Sequence, residues 1–131
     1  MKNEKLNYLL LTLGGWSTLL VGTVHNAAAL FIFEKGAPLT GDYLYMFLGT
    51  GTALMVMGII IIFSVKQYRS GQTTYRTVIL ICAVYTIMSG FSVFIFMPGF
   101  HNPFAYLLQV TSLVLFYPAL RLKTTGTGGN A

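Results

Sequence analysis

One apolar run, from Leu6 to Phe33, dominates the start of the chain and contains a single histidine, His25. About 20 apolar residues are enough for an α-helix to cross the hydrocarbon core of a bilayer, so this run is long enough to span a membrane. His25 lies about eight residues before the end of the run, roughly 12 Å along a helix axis. The run therefore predicts a membrane-spanning helix with an ionisable side chain inside it.

The rest of the chain has the same apolar character. Hydrophobic residues make up 55% of the sequence and charged residues 8%, whereas about a quarter of the residues of a soluble domain are charged. Three further apolar runs follow the first, separated by polar or turn-forming segments. We therefore expect one all-α domain over residues 1–123, an integral membrane four-helix bundle with helices at about 6–33, 43–65, 77–97 and 104–122. The small, polar tail 124–131 is expected to be disordered.

The connections and the basic residues predict how the bundle is oriented. Short connections rich in glycine and proline indicate antiparallel neighbours, in an up-down-up-down order. Of the eight basic residues only Lys35 lies in the first or third connection, and by the positive-inside rule both termini are then cytoplasmic. The other seven are Lys2, Lys5, Lys66, Arg69, Arg76, Arg121 and Lys123. This distribution explains the net charge of +5 as a topology signal, so we expect membrane lipids and no nucleic acid as partners.

Small residues recur at every fourth position of the first helix, at Gly14, Thr18 and Gly22. In lipid, this spacing allows the backbone of a second helix to approach closely. The pattern fits packing within one chain and packing between chains equally well, so a homo-oligomer or a larger membrane complex stays open. The single cysteine, Cys82, lies in an apolar run and is predicted to be a packing residue.

Two segments of the chain resemble each other at an offset of 63 residues. Residues 31–36 read FIFEKG and residues 94–99 read FIFMPG. Parallel repeats of this kind occur in membrane transporters. Apolar segments draw on few residue types, so an internal duplication and a chance similarity both remain open.

Polar side chains are predicted to converge in the outer half of the bundle. His25 and Asn26 extend the small-residue face of the first helix, while the second and fourth helices begin, and the third ends, on the outer side. The converging set is His25, Asn26, Ser89, Ser92, Tyr106 and Gln109, with His101 near the mouth in a turn. We expect these residues to line a pocket that opens to the outer leaflet and binds a small hydrophobic ligand, lipid or quinone.

The sequence leaves two roles open for His25. Ionisable groups inside a membrane are costly and are functional candidates by default. Alternatively, a neutral imidazole can hydrogen-bond Tyr106, Gln109 or Ser92 and hold the helices together. His101 is most simply a solvated loop histidine.

The sequence carries no motif of a known catalytic or metal site. Two histidines suffice for bis-histidine haem ligation, but one lies in a turn and no His, Cys or carboxylate cluster has familiar ligand spacing. We therefore expect no metal and no cofactor. A binding or accessory module is the leading hypothesis, more consistent with the sequence than an enzyme. The alternatives are a small proton-coupled transporter and a membrane enzyme that uses His25 as acid or base.

The residues Gly14, Gly15, Trp16, Gly22 and His25 resemble a Gly-Trp, Gly, His pattern of small bacterial four-helix membrane proteins, the DoxX-like group. The resemblance covers the first helix and the four-helix layout. It implies a multi-pass protein of a bacterial inner membrane. The DoxX-like group is connected with membrane redox and quinone-linked chemistry, but no catalytic motif matches here, so only the architecture is transferred.

Overall fold

The computed structural model describes residues 2–34, 41–96 and 103–122, and the side chains of residues 4–31, 44–92 and 106–122. These residues form four α-helices: α1 (Lys2–Glu34), α2 (Gly41–Arg69), α3 (Tyr75–Phe96) and α4 (Pro103–Leu120). The predicted all-α fold with four helices is confirmed. The predicted tail 124–131, the turn with His101 and most of the 63-residue repeat segments lie outside the described residues or side chains.

Three of the helices are long and apolar enough to cross a membrane. Their candidate spans are Glu4–Phe31, Leu44–Arg69 and Tyr75–Ser92, while the apolar part of α4, Tyr106–Leu120, is shorter. Large apolar side chains on the outside of the bundle, including Leu20 at 62% exposure and Leu113 at 65%, suit surroundings of lipid. Length and composition thus support a membrane protein with at least three spanning helices.

The second helix continues four residues beyond the predicted end at Val65, to Arg69, so Lys66 and Arg69 lie in its last turn. Cations at this position interact favourably with the C-terminal end of the helix dipole. Gly71 then adopts a left-handed φ of 98°. Its N–H donates to the Tyr68 carbonyl at 3.1 Å, and the N–H of Gln72 donates to the Gln67 carbonyl at 3.2 Å. This pair of bonds is a Schellman motif, which satisfies the last carbonyls of α2.

Each helix packs against two others. The most extensive contact joins α1 to α2, and smaller contacts join α3 to α4, α1 to α4 and α2 to α3. The largest buried cluster lies in the half of the bundle that contains the start of α1 and the end of α4. It includes Leu11, Ile61, Ile79 and Leu115, and also Cys82. The prediction that Cys82 is a buried packing residue is therefore confirmed.

Close approach of α1 and α2 depends on two glycines in each helix. A Cβ built on Gly58 would lie 2.6 Å from the Leu19 nitrogen and 2.8 Å from the Gly15 carbonyl oxygen. One built on Gly22 would lie 2.5 Å from the Gly51 carbonyl oxygen. The contacting pairs recur every seven residues, so the two backbones pack against each other over two turns of helix.

The predicted stripe of Gly14, Thr18 and Gly22 is therefore divided between two neighbours. A Cβ on Gly14 would meet the side chain of Leu115 in α4, whereas Gly22 meets α2. Thr18 is fully buried between them and donates a hydrogen bond to the Gly14 carbonyl at 2.8 Å. Positions four residues apart differ by about 40° around a helix, and eight residues by about 80°, which is enough to reach a second neighbour.

Candidate functional site

His25 packs against α2. Its imidazole is stacked on the ring of Phe47, with 5.3 Å between ring centroids and 21° between ring planes. The Nε2 atom is buried and has no hydrogen-bond partner among the described residues. The contact that the structure describes for this imidazole is with Phe47, a residue that the sequence did not indicate, and Nε2 forms no described hydrogen bond to Tyr106, Gln109 or Ser92.

Asn26 also faces α2. Its Nδ2 atom donates to Thr52 Oγ1 at 3.1 Å and lies 3.7 Å from Met55 Sδ. The carboxamide fills the space where a side chain at Gly51 would be, because a Cβ built there would lie 2.6 Å from Asn26 Cγ. Asn26 Oδ1 is buried without a hydrogen-bond partner in the described part of the chain. Adjacent residues of α1 therefore each carry an unsatisfied polar atom.

A second carboxamide has the same kind of environment in the other helix pair. Gln109 of α4 lies over Gly90 of α3, where a built Cβ would be 2.8 Å from Gln109 Nε2. This Nε2 atom is buried and, within the described ranges, unpaired. In each pair, a glycine on one helix makes room for an amide from its neighbour.

For the remaining predicted residues, the structure shows no unsatisfied buried polar atom of the kind found at His25, Asn26 and Gln109 in the described part of the chain. Ser92 donates to the Ser89 carbonyl at 2.8 Å, so its hydroxyl is satisfied within α3. Tyr106 is 50% exposed near the start of α4. His101, predicted at the mouth of the pocket, lies outside the described residues.

The contacts divide the predicted set between two helix pairs. His25 and Asn26 belong to the α1 and α2 pair, whereas Gln109 and the two serines belong to the α3 and α4 pair. A buried apolar cluster of Val21, Leu54 and Leu108 joins α1, α2 and α4 in this half of the bundle.

Buried hydroxyl groups near the middle of the bundle were not predicted as a set. Ser17 of α1 and Thr111 of α4 form a hydrogen bond of 2.7 Å between their hydroxyls. Thr86 and Ser112 are fully buried and each bonds the carbonyl four residues earlier. A sequence shows which serines and threonines lie in an apolar run. It does not show whether each hydroxyl bonds another helix, because a carbonyl of its own helix satisfies it equally well. Which hydroxyls pair between helices therefore depends on the packing.

Basic side chains gather at the other end of the bundle. Arg69 lies over the ring of Tyr8, with 5.6 Å from Cζ to the centroid, and Arg121 lies over Tyr117 at 4.3 Å. Arg76 Nε donates to the Leu122 carbonyl at 2.8 Å. A small cavity of about 40 Å³ lies between these groups, lined by Glu4, Asn7, Tyr8, Tyr68, Arg121 and Leu122. Counted along α1 from Glu4, it is about 30 Å from His25.

Among the side chains that the structure describes, no three His, Cys, Asp or Glu residues are grouped closely enough to hold a metal ion. Comparisons of the chain with models of protein families, with curated proteins and with solved structures gave no match.

Proposed function

We propose that the chain is a multi-pass membrane protein whose four helices alternate in direction, with both termini on the cytoplasmic side. The order of the contacts supports this, because Gly15 meets Gly58 whereas Gly22, further along α1, meets Gly51, earlier in α2. The 18 residues of α4 measure about 27 Å, close to the thickness of the hydrocarbon core. The basic cluster at one end supports the orientation. We propose a bacterial inner membrane as its location, on the resemblance of the first helix to the DoxX-like group.

Within this arrangement, we propose a non-enzymatic binding or accessory module that takes a small lipophilic ligand, a lipid or quinone, beside His25 and Asn26. One observation carries the proposal: His25 Nε2 and Asn26 Oδ1 are adjacent in sequence, buried, and lack hydrogen-bond partners among the described residues. Polar atoms left unsatisfied in an apolar environment cost free energy, which a ligand that pairs with them recovers.

The chemistry of the two atoms limits the ligand. Asn26 Oδ1 accepts a hydrogen bond, and His25 Nε2 donates or accepts according to its tautomer. The imidazole is fixed on Phe47, so it offers its nitrogen from a defined position. A ligand with an apolar body and a head that carries carbonyl or hydroxyl oxygens meets these requirements.

Two matched variants of α1 test this proposal. His25→Phe keeps an aromatic ring for stacking on Phe47 but removes both ring nitrogens. Thr23→Ala is the control, since the exposed Thr23 hydroxyl is already satisfied by the Leu19 carbonyl at 2.9 Å. Purification in mild detergent, native mass spectrometry with lipid extraction and titration with a short-chain ubiquinone analogue measure binding.

We expect the unmodified protein and Thr23→Ala to bind equally, and His25→Phe to bind about tenfold more weakly through the loss of one hydrogen bond. Equal binding by all three, or no retained or added ligand bound by any of them, would contradict the proposal. Chemical conversion of the bound molecule that depends on His25 would instead identify a membrane enzyme.

Proton-coupled transport is the second candidate, and the position of His25 within the candidate span Glu4–Phe31 favours it. Imidazole is the side chain whose ordinary pKa lies nearest to neutral pH, so His25 is the residue of this span best suited to carry a proton. Proteoliposomes with a pH-sensitive dye inside test this directly. Substrate-dependent proton flux that disappears in His25→Phe but persists in Thr23→Ala would favour transport over simple binding.

A further inference from the structure

The cavity at the basic end arises because α4 is shorter than its neighbour at that end. Gly14 of α1 lies level with Leu115 of α4. From that contact α4 continues for five residues, to Leu120, whereas α1 extends back for twelve, to Lys2. The seven-residue difference corresponds to about 10 Å. This leaves a step in the bundle, which Arg121 and Leu122 cover only in part.

The side chains around this step are suited to an anion. Besides Arg121, the polar residues Asn7, Tyr8 and Tyr68 line the cavity. Guanidinium groups present a planar set of donors that matches the geometry of phosphate oxygens. The ring of Tyr117 lies under the Arg121 guanidinium at 4.3 Å, which restricts the positions that the guanidinium adopts.

The charge around the cavity is positive overall. Of the side chains that the structure describes, Glu4 is the one acid, and it lines the cavity. The basic side chains described at this end outnumber it: Lys5, Lys66, Arg69, Arg76 and Arg121. A phosphate in the cavity is therefore attracted by the surrounding positive charges and repelled by one carboxylate, that of Glu4.

The size of the cavity and the surface beside it indicate which part of a lipid fits. A volume of about 40 Å³ has room for about three water molecules, which suits a polar head but not an acyl chain. Exposed apolar side chains lead away from the cavity along α4, at Tyr117, whose ring contacts Arg121, and at Leu113 one turn further along. Acyl chains of a lipid whose head lies in the cavity can follow these side chains.

We propose that this cavity binds the phosphate of an anionic phospholipid in the leaflet that borders the basic end, with Arg121 as its principal ligand. The site is independent of the ligand proposed beside His25. Basic pockets between membrane helices bind anionic headgroups in this way. The lipid holds the end of α4 against the start of α1, where the bundle is otherwise open.

Native mass spectrometry of the detergent-purified protein tests the proposal with phosphatidylglycerol and phosphatidylcholine as the two probes. The variants are Arg121→Gln, which removes the guanidinium of a residue that lines the cavity, and Lys66→Gln, which removes the same charge from an exposed position outside the cavity lining. Circular dichroism spectra of each variant check that the helices are intact.

We expect phosphatidylglycerol to be retained in preference to phosphatidylcholine. Loss of a charge-assisted hydrogen bond in Arg121→Gln should weaken its binding about tenfold, whereas Lys66→Gln should change it less than about twofold. Glu4→Gln should strengthen binding by up to a few fold, because it removes the opposing charge while keeping the shape.

With the two lipids as probes, any of three results would overturn the proposal: equal retention of the two lipids, equal weakening by Arg121→Gln and Lys66→Gln, or phosphatidylglycerol binding by a folded Arg121→Gln protein as tight as that of the unmodified chain. Inorganic phosphate is added in a parallel experiment. If it binds the protein and displaces phosphatidylglycerol completely, the site is one for a free anion and the lipid assignment is wrong.

Discussion

The carboxamide of Asn26 lies directly on the backbone of Gly51, in the space that any larger residue would fill. A Cβ at this position would meet Asn26 Cγ at 2.6 Å and the Gly22 carbonyl oxygen at 3.0 Å. The amide can therefore reach Thr52 Oγ1 because position 51 has no side chain. Hydrogen bonds between helices and close backbone packing here depend on the same glycine.

Gly51→Ala should destabilise the protein by about 1–3 kcal/mol, because the added methyl group must displace the Asn26 amide or separate the helices. Reversible unfolding in mixed detergent micelles measures this free energy. The double variant Asn26→Ala/Gly51→Ala should recover part of the loss, since the amide no longer competes for the space. If the two single effects simply add, the steric explanation is wrong.

Gly58→Ala should be at least as costly as Gly51→Ala. The atoms that its Cβ would meet at 2.6 and 2.8 Å belong to the backbone of α1, and backbone atoms cannot rotate away as a side chain can. Gly49→Ala in the same helix is the matched control, since a Cβ there meets no described atom within 4 Å. It should be neutral or stabilising by up to about 1 kcal/mol through helix propensity. Equal effects in the unfolding measurement would contradict the proposed packing.

Gly71→Ala tests the Schellman motif at the end of α2. Its φ of 98° costs an L-residue about 1–2 kcal/mol, although the structure leaves open space around the position. Gly71→Asn should cost less, because asparagine tolerates left-handed backbone better than alanine does. Unfolding free energies of the two variants check this order, and a neutral alanine variant would show that the backbone conformation is not required.

The four helices were predictable because each comes from a long apolar run bounded by glycine, proline or charge. Their contacts were less predictable, because apolar residues surround these helices almost completely and no single face stands out. Gly15, which the small-residue stripe omitted, packs against Gly58, while Gly14 faces Leu115. A sequence shows that small residues recur every three or four positions, but the choice of partner depends on how all four helices fit together.

The candidate site shows the same limit. His25 and Asn26 were identifiable from the sequence because polar side chains are costly in a membrane span. Their partner was not, because Phe47 is one of many aromatic residues and stacking has no sequence signature. Depth along the helices could be estimated from the run lengths, which is why Gln109 was assigned to the same half. The direction in which each side chain points could not be estimated in this way, and Gln109 lies against Gly90 of α3.

The hydroxyl pair of Ser17 and Thr111 provides a test of the contact between α1 and α4. Its 2.7 Å hydrogen bond joins two spans in surroundings where measured interhelical bonds contribute about 0.6 kcal/mol on average and up to about 1.7. Ser17→Ala and Thr111→Val should each destabilise the bundle by about this amount, and the double variant should cost less than their sum, because either change already removes the bond. Thr23→Ala, which loses only a bond within its own helix, should be close to neutral. Strictly additive effects of the two variants would mean that the hydroxyls do not bond each other, and the register of α4 against α1 would then have to differ from the one described.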